Sequence, residues 1–149
     1  MFSFQFINHP KSFTIDEVRI SEIFRHIAET VDIQQKGILN IAFLPDSEIQ
    51  ILNDQYRSID DTTDVLSFHY FENFRDISDD EIAGEIILSE SQIIIQAREN
   101  HLSPLRECEI LIIHSILHII GFDHETDEEF QEMWQYEEKL RNISLHSIH

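Results

Sequence analysis

The segment Ile113-His114-Ser115-Ile116-Leu117-His118-Ile119-Ile120-Gly121-Phe122-Asp123-His124 is the stretch on which the reading of this chain turns. Its apolar residues run at helical spacing, and His114 and His118 are four positions apart, so their rings lie on one face, one turn above the other. Two neutral imidazoles held in that way can grip one metal ion. Gly121 suits the left-handed residue that ends a helix. The chain can then turn back and bring His124 towards the same ion, giving a three-nitrogen cap with an open side.

The spacing His-x-x-x-His-x-x-Gly-x-x-His is similar to the metzincin zinc signature at its three ligands and its glycine. Where those proteases carry the glutamate that acts as general base, this chain has Ser115. The residues therefore point to a metal site, and away from peptide hydrolysis as its use.

The chain has 149 residues, 42% hydrophobic and 26% charged, ordinary values for one globular domain with a sizeable core. Residues 1–149 read as a single domain, with a patternless tail over 142–149 that is expected to fray. No apolar run approaches the roughly 20 residues of a membrane helix. The start Met1-Phe2-Ser3-Phe4-Gln5-Phe6 lacks the features of a signal peptide, so a cytoplasmic location is expected. Cys108 is the only cysteine. Its apolar helical setting suits a packed, inert thiol. Ten basic residues against 29 acidic ones leave a net charge of −19, which excludes broad electrostatic attraction to nucleic acid. An RNA substrate would need a local basic spot, a metal or a partner to offset that repulsion.

Outward from the histidine segment, Pro104 marks the start of its helix, and Ile110, Ile113, Leu117 and Ile120 make it apolar on most sides, hence central. Before it, Ser89 or Ser91 can cap a helix through Arg98. Ile82 to Leu88 reads as a strand in which Gly84 marks a bulge or a close approach of another backbone. After it, Thr126 with Glu129 is a capping box opening a helix through about Arg141 that holds Met133, Trp134 and Leu140.

In the first half, Phe2, Phe4 and Phe6 alternate as a strand with one aromatic face. Thr14 and Glu17 signal a helix start, followed by Ile20, Ile23, Phe24, Ile27 and Val31 at helical spacing, with His26 on its surface. Ile38 to Leu44 is a strand stopped by Pro45. Asp46 can cap a helix whose Ile49, Leu52, Asn53 and Tyr56 share a face and which delivers Arg57 at its end. Val65 to Tyr70 has strand composition. Phe71 to Glu81 reads as an acidic, solvated, mobile loop.

Three blocks in order, Leu52-Asn53-Asp54-Gln55-Tyr56-Arg57 leading into Thr63-Asp64-Val65-Leu66-Ser67-Phe68, then Gly84-Glu85-Ile86-Ile87-Leu88-Ser89, then His114 to His124, resemble the YbeY family of bacterial metal-dependent endoribonucleases linked to ribosomal RNA maturation and ribosome quality control. The likeness runs from about Leu52 to Glu138. It implies an α+β, zincin-like fold in which a small mixed β-sheet of about four strands packs with about five helices. It also implies one zinc ion (Zn2+) held by His114, His118 and His124 with water in the fourth position, and Arg57 nearby. Thr62 and His69 stand where the family usually has proline, Ser115 where glycine is common, and Glu85 where aspartate is usual.

Three neutral imidazoles leave the ion's charge uncompensated and acidify its water, which suits hydrolysis without a glutamate. Arg57 is the candidate catalytic residue, its guanidinium matched to the charge growing on a phosphodiester. Asp64 reads as orienting Arg57 or a backbone turn. Asp123 either accepts from a ligand's ring N–H or caps the next helix. Ser67 either hydrogen-bonds substrate or ends a strand, and His69 is a possible further ligand. The expected partners are ribosomal RNA and small-subunit ribosomal proteins, with no DNA and no membrane. Two other readings fit parts of the pattern: a metzincin-like metalloprotease, and a non-catalytic ribosome-assembly factor that keeps zinc for stability.

Overall fold

Alternating apolar side chains build a mixed sheet from β1 (Ser3–Phe6), β2 (Ile38–Phe43), β3 (Val65–His69) and β4 (Ile82–Leu88). A computed structural model describes residues 2–31, 36–71, 74, 76–121, 135 and 138. The strand order is β1-β2-β4-β3, with β1, β2 and β4 parallel and β3 antiparallel to β4. Among the described residues four helices accompany the sheet: α1 (Glu17–Thr30), α2 (Asp46–Arg57), α3 (Glu90–Glu99) and α4 (Pro104–Ile120). Gln135 and Glu138 are also helical, in keeping with the helix expected between Thr126 and Arg141. The other residues of that expected helix and the tail 142–149 lie outside the described residues. The architecture is the expected α+β one, and no described helix is long and apolar enough to cross a membrane.

The sheet has a core on each face because its strands carry apolar residues at both parities. Leu39, Ile41 and Phe43 of β2 and Ile86 and Leu88 of β4 pack with residues of α1, α3 and α4 in the main core. Ile87 of β4 and Leu66 of β3 pack with Ile49 of α2 in a smaller core. The two cores sit on opposite sides of the sheet, as the alternation of Ile86 and Ile87 requires. Phe4 and Phe6 pack onto the main core beside Phe24, which is the aromatic face read in the first strand.

Three expectations need correction. The side chain that caps α1 belongs to Asp16, whose carboxylate accepts from the backbone N–H groups of Val18 and Arg19, and not to Thr14. Asp46 is the first residue of α2 and the cap position is Pro45, without a side-chain cap bond. Asp46 instead accepts from the hydroxyls of Ser89, Ser91 and Thr62, so it ties the start of α2 to the start of α3, which Ser89 caps. Burial alone would raise its carboxyl; the hydrogen bonds from Ser89, Ser91, Gln92 and Thr62 outweigh that and hold it below the usual carboxylate range. The segment from Phe71 to Glu81 is not a purely solvated loop. Phe74 and Ile77 are buried in the main core, and the Phe74 carbonyl accepts from the backbone N–H of Lys36. Two apolar anchors thus pin an acidic run.

Gly84 does what its place in the strand predicts. The β2–β4 register shifts between Ile38 and Leu39, which pair with Ile82 and Gly84, and a Cβ at Gly84 would press into the backbone carbonyl oxygen of Phe68. Because the obstacle is backbone, relief requires β3 to move. Gly84→Ala is expected to cost about 1–3 kcal/mol of stability, measured by urea denaturation at equilibrium. An unchanged midpoint and slope would show that the sheet relaxes freely there.

The central helix α4 starts at Pro104 after the cap residue Ser103 and ends at Gly121, whose φ of 120° is left-handed. Glycine takes that conformation without penalty. Cys108 is fully buried, and burial pushes its thiol well above the ordinary range, so it stays protonated and inert. The sequence pattern gave no sign that α4 also buries charge. The Glu109 carboxylate accepts from Arg19 of α1 through Nε at 2.6 Å and Nη2 at 2.8 Å, and Arg106 approaches it at 3.5 Å. A forked guanidinium on a buried carboxylate fixes the angle between two helices as well as neutralising the charge.

Candidate active site

Along β3 the pairing with β4 decides which backbone groups face outward. The Tyr70 N–H donates to the Ala83 carbonyl and the Ser89 N–H donates to the Asp64 carbonyl, with Val65 opposite Leu88 and His69 opposite Gly84. In an antiparallel ladder, hydrogen-bonded and non-bonded pairs alternate. The backbone groups of Val65, Ser67 and His69 therefore point away from β4, along the free edge of the sheet. Side chains alternate independently: Leu66 and Phe68 belong to the α2 side, Val65 to the α4 side, and Ser67 and His69 share the parity of Val65.

That edge borders a cavity of about 710 Å³. The end of α2 contributes Tyr56 and Arg57, the stretch 63–69 forms one wall, and His114, His118 and Ile119 of α4 form another. The helical histidine pair and the arginine named from the sequence thus open on one cleft. Arg57 is exposed and forms no ion pair with Asp60 or Asp64 within 4.0 Å. The Asp60 carboxylate accepts from Gln50, and the Asp64 carboxylate accepts from the Thr63 hydroxyl. The Asp64 carboxylate meets neither Arg57 nor a backbone N–H among the described residues, so neither role weighed for that side chain is seen, and its carbonyl pairs with Ser89 as part of the ladder.

His114 and His118 are half-buried, and their Nε2 atoms are 2.9 Å apart, with ring centroids at 4.4 Å and planes crossing at 74°. The two nitrogens face each other within hydrogen-bond distance, as residues one helical turn apart on one face allow. Tetrahedral coordination at roughly 2.0–2.1 Å places ligand nitrogens about 3.3 Å apart. The pair therefore fits one divalent cation once its rings separate by a few tenths of an ångström. His124 and Asp123 lie outside the described residues. Among the described residues, no group of three His, Cys, Asp or Glu side chains is placed to hold a metal ion. His69 lines the cleft, but its Nδ1 contacts the Phe71 carbonyl at 3.1 Å and it does not complete a trio with the pair. Ser67 stands mid-strand, not at a strand end, and lines the cleft. Ser115, next to the first histidine, is buried, and its hydroxyl has no hydrogen-bond partner among the described residues.

The reading from sequence missed Tyr56 as part of the site and assigned it only to a helix face. Its side chain is 66% exposed at the mouth of the cleft. A tyrosine immediately before the candidate arginine was the available signal.

A mixed sheet whose antiparallel edge strand borders a cleft, with a helical His-x-x-x-His pair and a guanidinium opening on it, defines an α+β hydrolase. Within that class the chain belongs to the endoribonuclease YbeY family, whose family model matches residues 5–144. The endoribonuclease YbeY of Carboxydothermus hydrogenoformans is 35% identical over 127 residues, covering 85% of this chain and 86% of that protein. The protein of the same name from Treponema denticola is 34% identical over 141 residues, covering 91% and 90%. The solution structure of TM1509 from Thermotoga maritima is similar with a TM-score of 0.61 and 26% identity, over 99% of this chain and 91% of that one.

Proposed function

We propose that this chain is a metal-dependent, single-strand-type endoribonuclease acting in the cytoplasm on ribosomal RNA, in its maturation and in ribosome quality control. A divalent cation, zinc in this reading, would be held by His114, His118 and His124. When bound, such a cation supplies Lewis acidity to phosphoryl oxygen and to water. The observation that carries the reading is the meeting of the facing Nε2 pair and the Arg57 guanidinium in one cleft. Relatives named endoribonuclease support the substrate class.

In this reading the residues divide the work. His114 and His118 would hold the cation through their Nε2 atoms, presented from the buried helix α4. Arg57 lines the cleft with no carboxylate ion pair among the described residues, and its fork binds the non-bridging oxygens of the scissile phosphate. The outward N–H groups along the edge of β3 are donors that can align the RNA backbone. A chain with a net charge of −19 gains little from nonspecific attraction to RNA. Small-subunit ribosomal proteins, being basic, are the protein partners such a surface favours.

The test is a single assay with four arms: freshly purified protein with structured ribosomal RNA or with unfolded protein substrate, each with and without chelator, after metal analysis that separates zinc from nickel, copper and iron. The expected result is RNA cleavage that a chelator abolishes and added zinc restores. Full cleavage by metal-free protein would overturn the metal assignment, and proteolysis without RNA cleavage would overturn the substrate. A 2′,3′-cyclic phosphate end would identify the RNA's own 2′-hydroxyl as nucleophile in place of water.

A further inference from the structure

The geometry points to a nucleobase-binding subsite at the mouth of the cleft, where Tyr56, supported by Phe68 and flanked by Tyr70, stacks a base of single-stranded RNA beside the phosphate held by Arg57. This inference deepens the endoribonuclease reading and rests on it. Tyr56 and Phe68 meet edge to face, with centroids 5.2 Å apart and planes at 70°. Phe68 is packed against the smaller core, so the Tyr56 ring has a fixed support on one side while most of its surface is exposed. Tyr70 is 56% exposed. It continues β3 two positions beyond Phe68, its N–H donating to the Ala83 carbonyl, and so shares the Phe68 side of the strand. Two of the chain's three tyrosines therefore stand exposed at one place, beside the candidate phosphate-binding residue. Among the described residues the other large exposed apolar side chains, Ile7, Val18, Ile51, Ile59, Ile95 and Leu102, are aliphatic.

The charge of the chain explains why an aromatic surface belongs there. With 29 acidic and 10 basic residues, counterion release cannot supply RNA affinity over a broad face. Stacking does not depend on net charge, and every base offers a π-face. Bases in a duplex have both faces covered, so the subsite selects unpaired RNA.

The test uses the full-length chain and a fluorescently labelled single-stranded oligoribonucleotide, the same strand carrying one abasic position at successive sites, and its duplex. Tyr56→Ala should weaken binding of the intact strand about thirtyfold, the middle of the range for loss of one stacked base, and raise KM with little change in kcat. Tyr56→Phe should restore both, because the face and not the hydroxyl makes the contact. Tyr56→Trp should bind as well and gain a fluorescence signal quenched by the strand. One abasic position should weaken the wild-type protein and leave Tyr56→Ala unaffected. If Tyr56→Ala cleaves with unchanged KM, or loses affinity equally for intact and abasic strands, the subsite is refuted while the endoribonuclease reading stands. If the folded wild-type chain neither binds nor cleaves any strand, both fall together.

Discussion

His118→Ala is expected to lose its bound divalent cation and to cleave RNA more than about a hundredfold more slowly, exceeding the 10–100-fold typical of changes one shell further from a metal. In the proposed site the two Nε2 atoms, 2.9 Å apart, would act as one chelating unit, so removing either would leave a single helical imidazole to hold the ion with His124. The fold should survive. His118 is half-buried near the end of α4, alanine is the best helix former, and the neighbouring Leu117 and Ile119 keep the helix in the core. Metal content, single-turnover cleavage and thermal unfolding on the same preparation separate the site from stability. His26→Ala is the control. That residue lies on α1, 3.9 Å from Glu29 and away from the cleft, and its loss should change neither metal nor cleavage. A His118→Ala protein with full metal and full activity would remove the histidine pair from the mechanism.

The pair was legible in the sequence because every signal in its stretch agrees. An apolar helical period, a proline at the start, a glycine at the end and two histidines at one-turn spacing all specify the same helix, and α4 follows them from Pro104 to Gly121. Gly84 was legible for a similar reason, since a residue without a side chain inside a strand needs a neighbour to explain it. Locally ambiguous signals fared worse. Thr14 and Asp16 both precede α1 with side chains able to cap it, and the cap falls to the residue at which the backbone leaves the extended region, φ −99° and ψ 99° at Asp16. Composition alone does not say where that occurs.

Long-range pairings were invisible for a different reason. Arg19 and Glu109 are 90 positions apart, and Asp46 meets Ser91 across 45. No periodicity within a window of one helix reveals that a buried carboxylate will find a guanidinium on another. The same limit hid Phe74 and Ile77 inside an acidic run, where two apolar residues among charges look incidental until Gly37 is seen packed close to Ile77. The meeting of Arg57 with the histidine pair was expected only through family resemblance, because α2 and α4 reach the cleft from opposite sides of the sheet.

Arg57→Ala should retain the cation and lose cleavage by about 10²–10³-fold, the range for removing one preorganised donor from developing charge. The prediction follows from position. Arg57 ends α2 at the mouth of the cleft, is exposed, and has no carboxylate partner within 4.0 Å among the described residues, so its removal leaves no orphaned buried charge and should cost little stability. Arg57→Lys distinguishes charge from geometry. A lysine keeps the positive charge but cannot present two parallel N–H groups to a phosphate. If the guanidinium stabilises charge that grows during the reaction, Arg57→Lys will restore only a small part of kcat while KM stays near that of the wild type. If Arg57 merely attracts RNA, lysine will restore activity in full and both variants will be defective mainly in KM, with the defect shrinking as salt screens the charge. Full cleavage by Arg57→Ala at saturating RNA would exclude the arginine from the chemical step and leave the histidine pair alone to account for it.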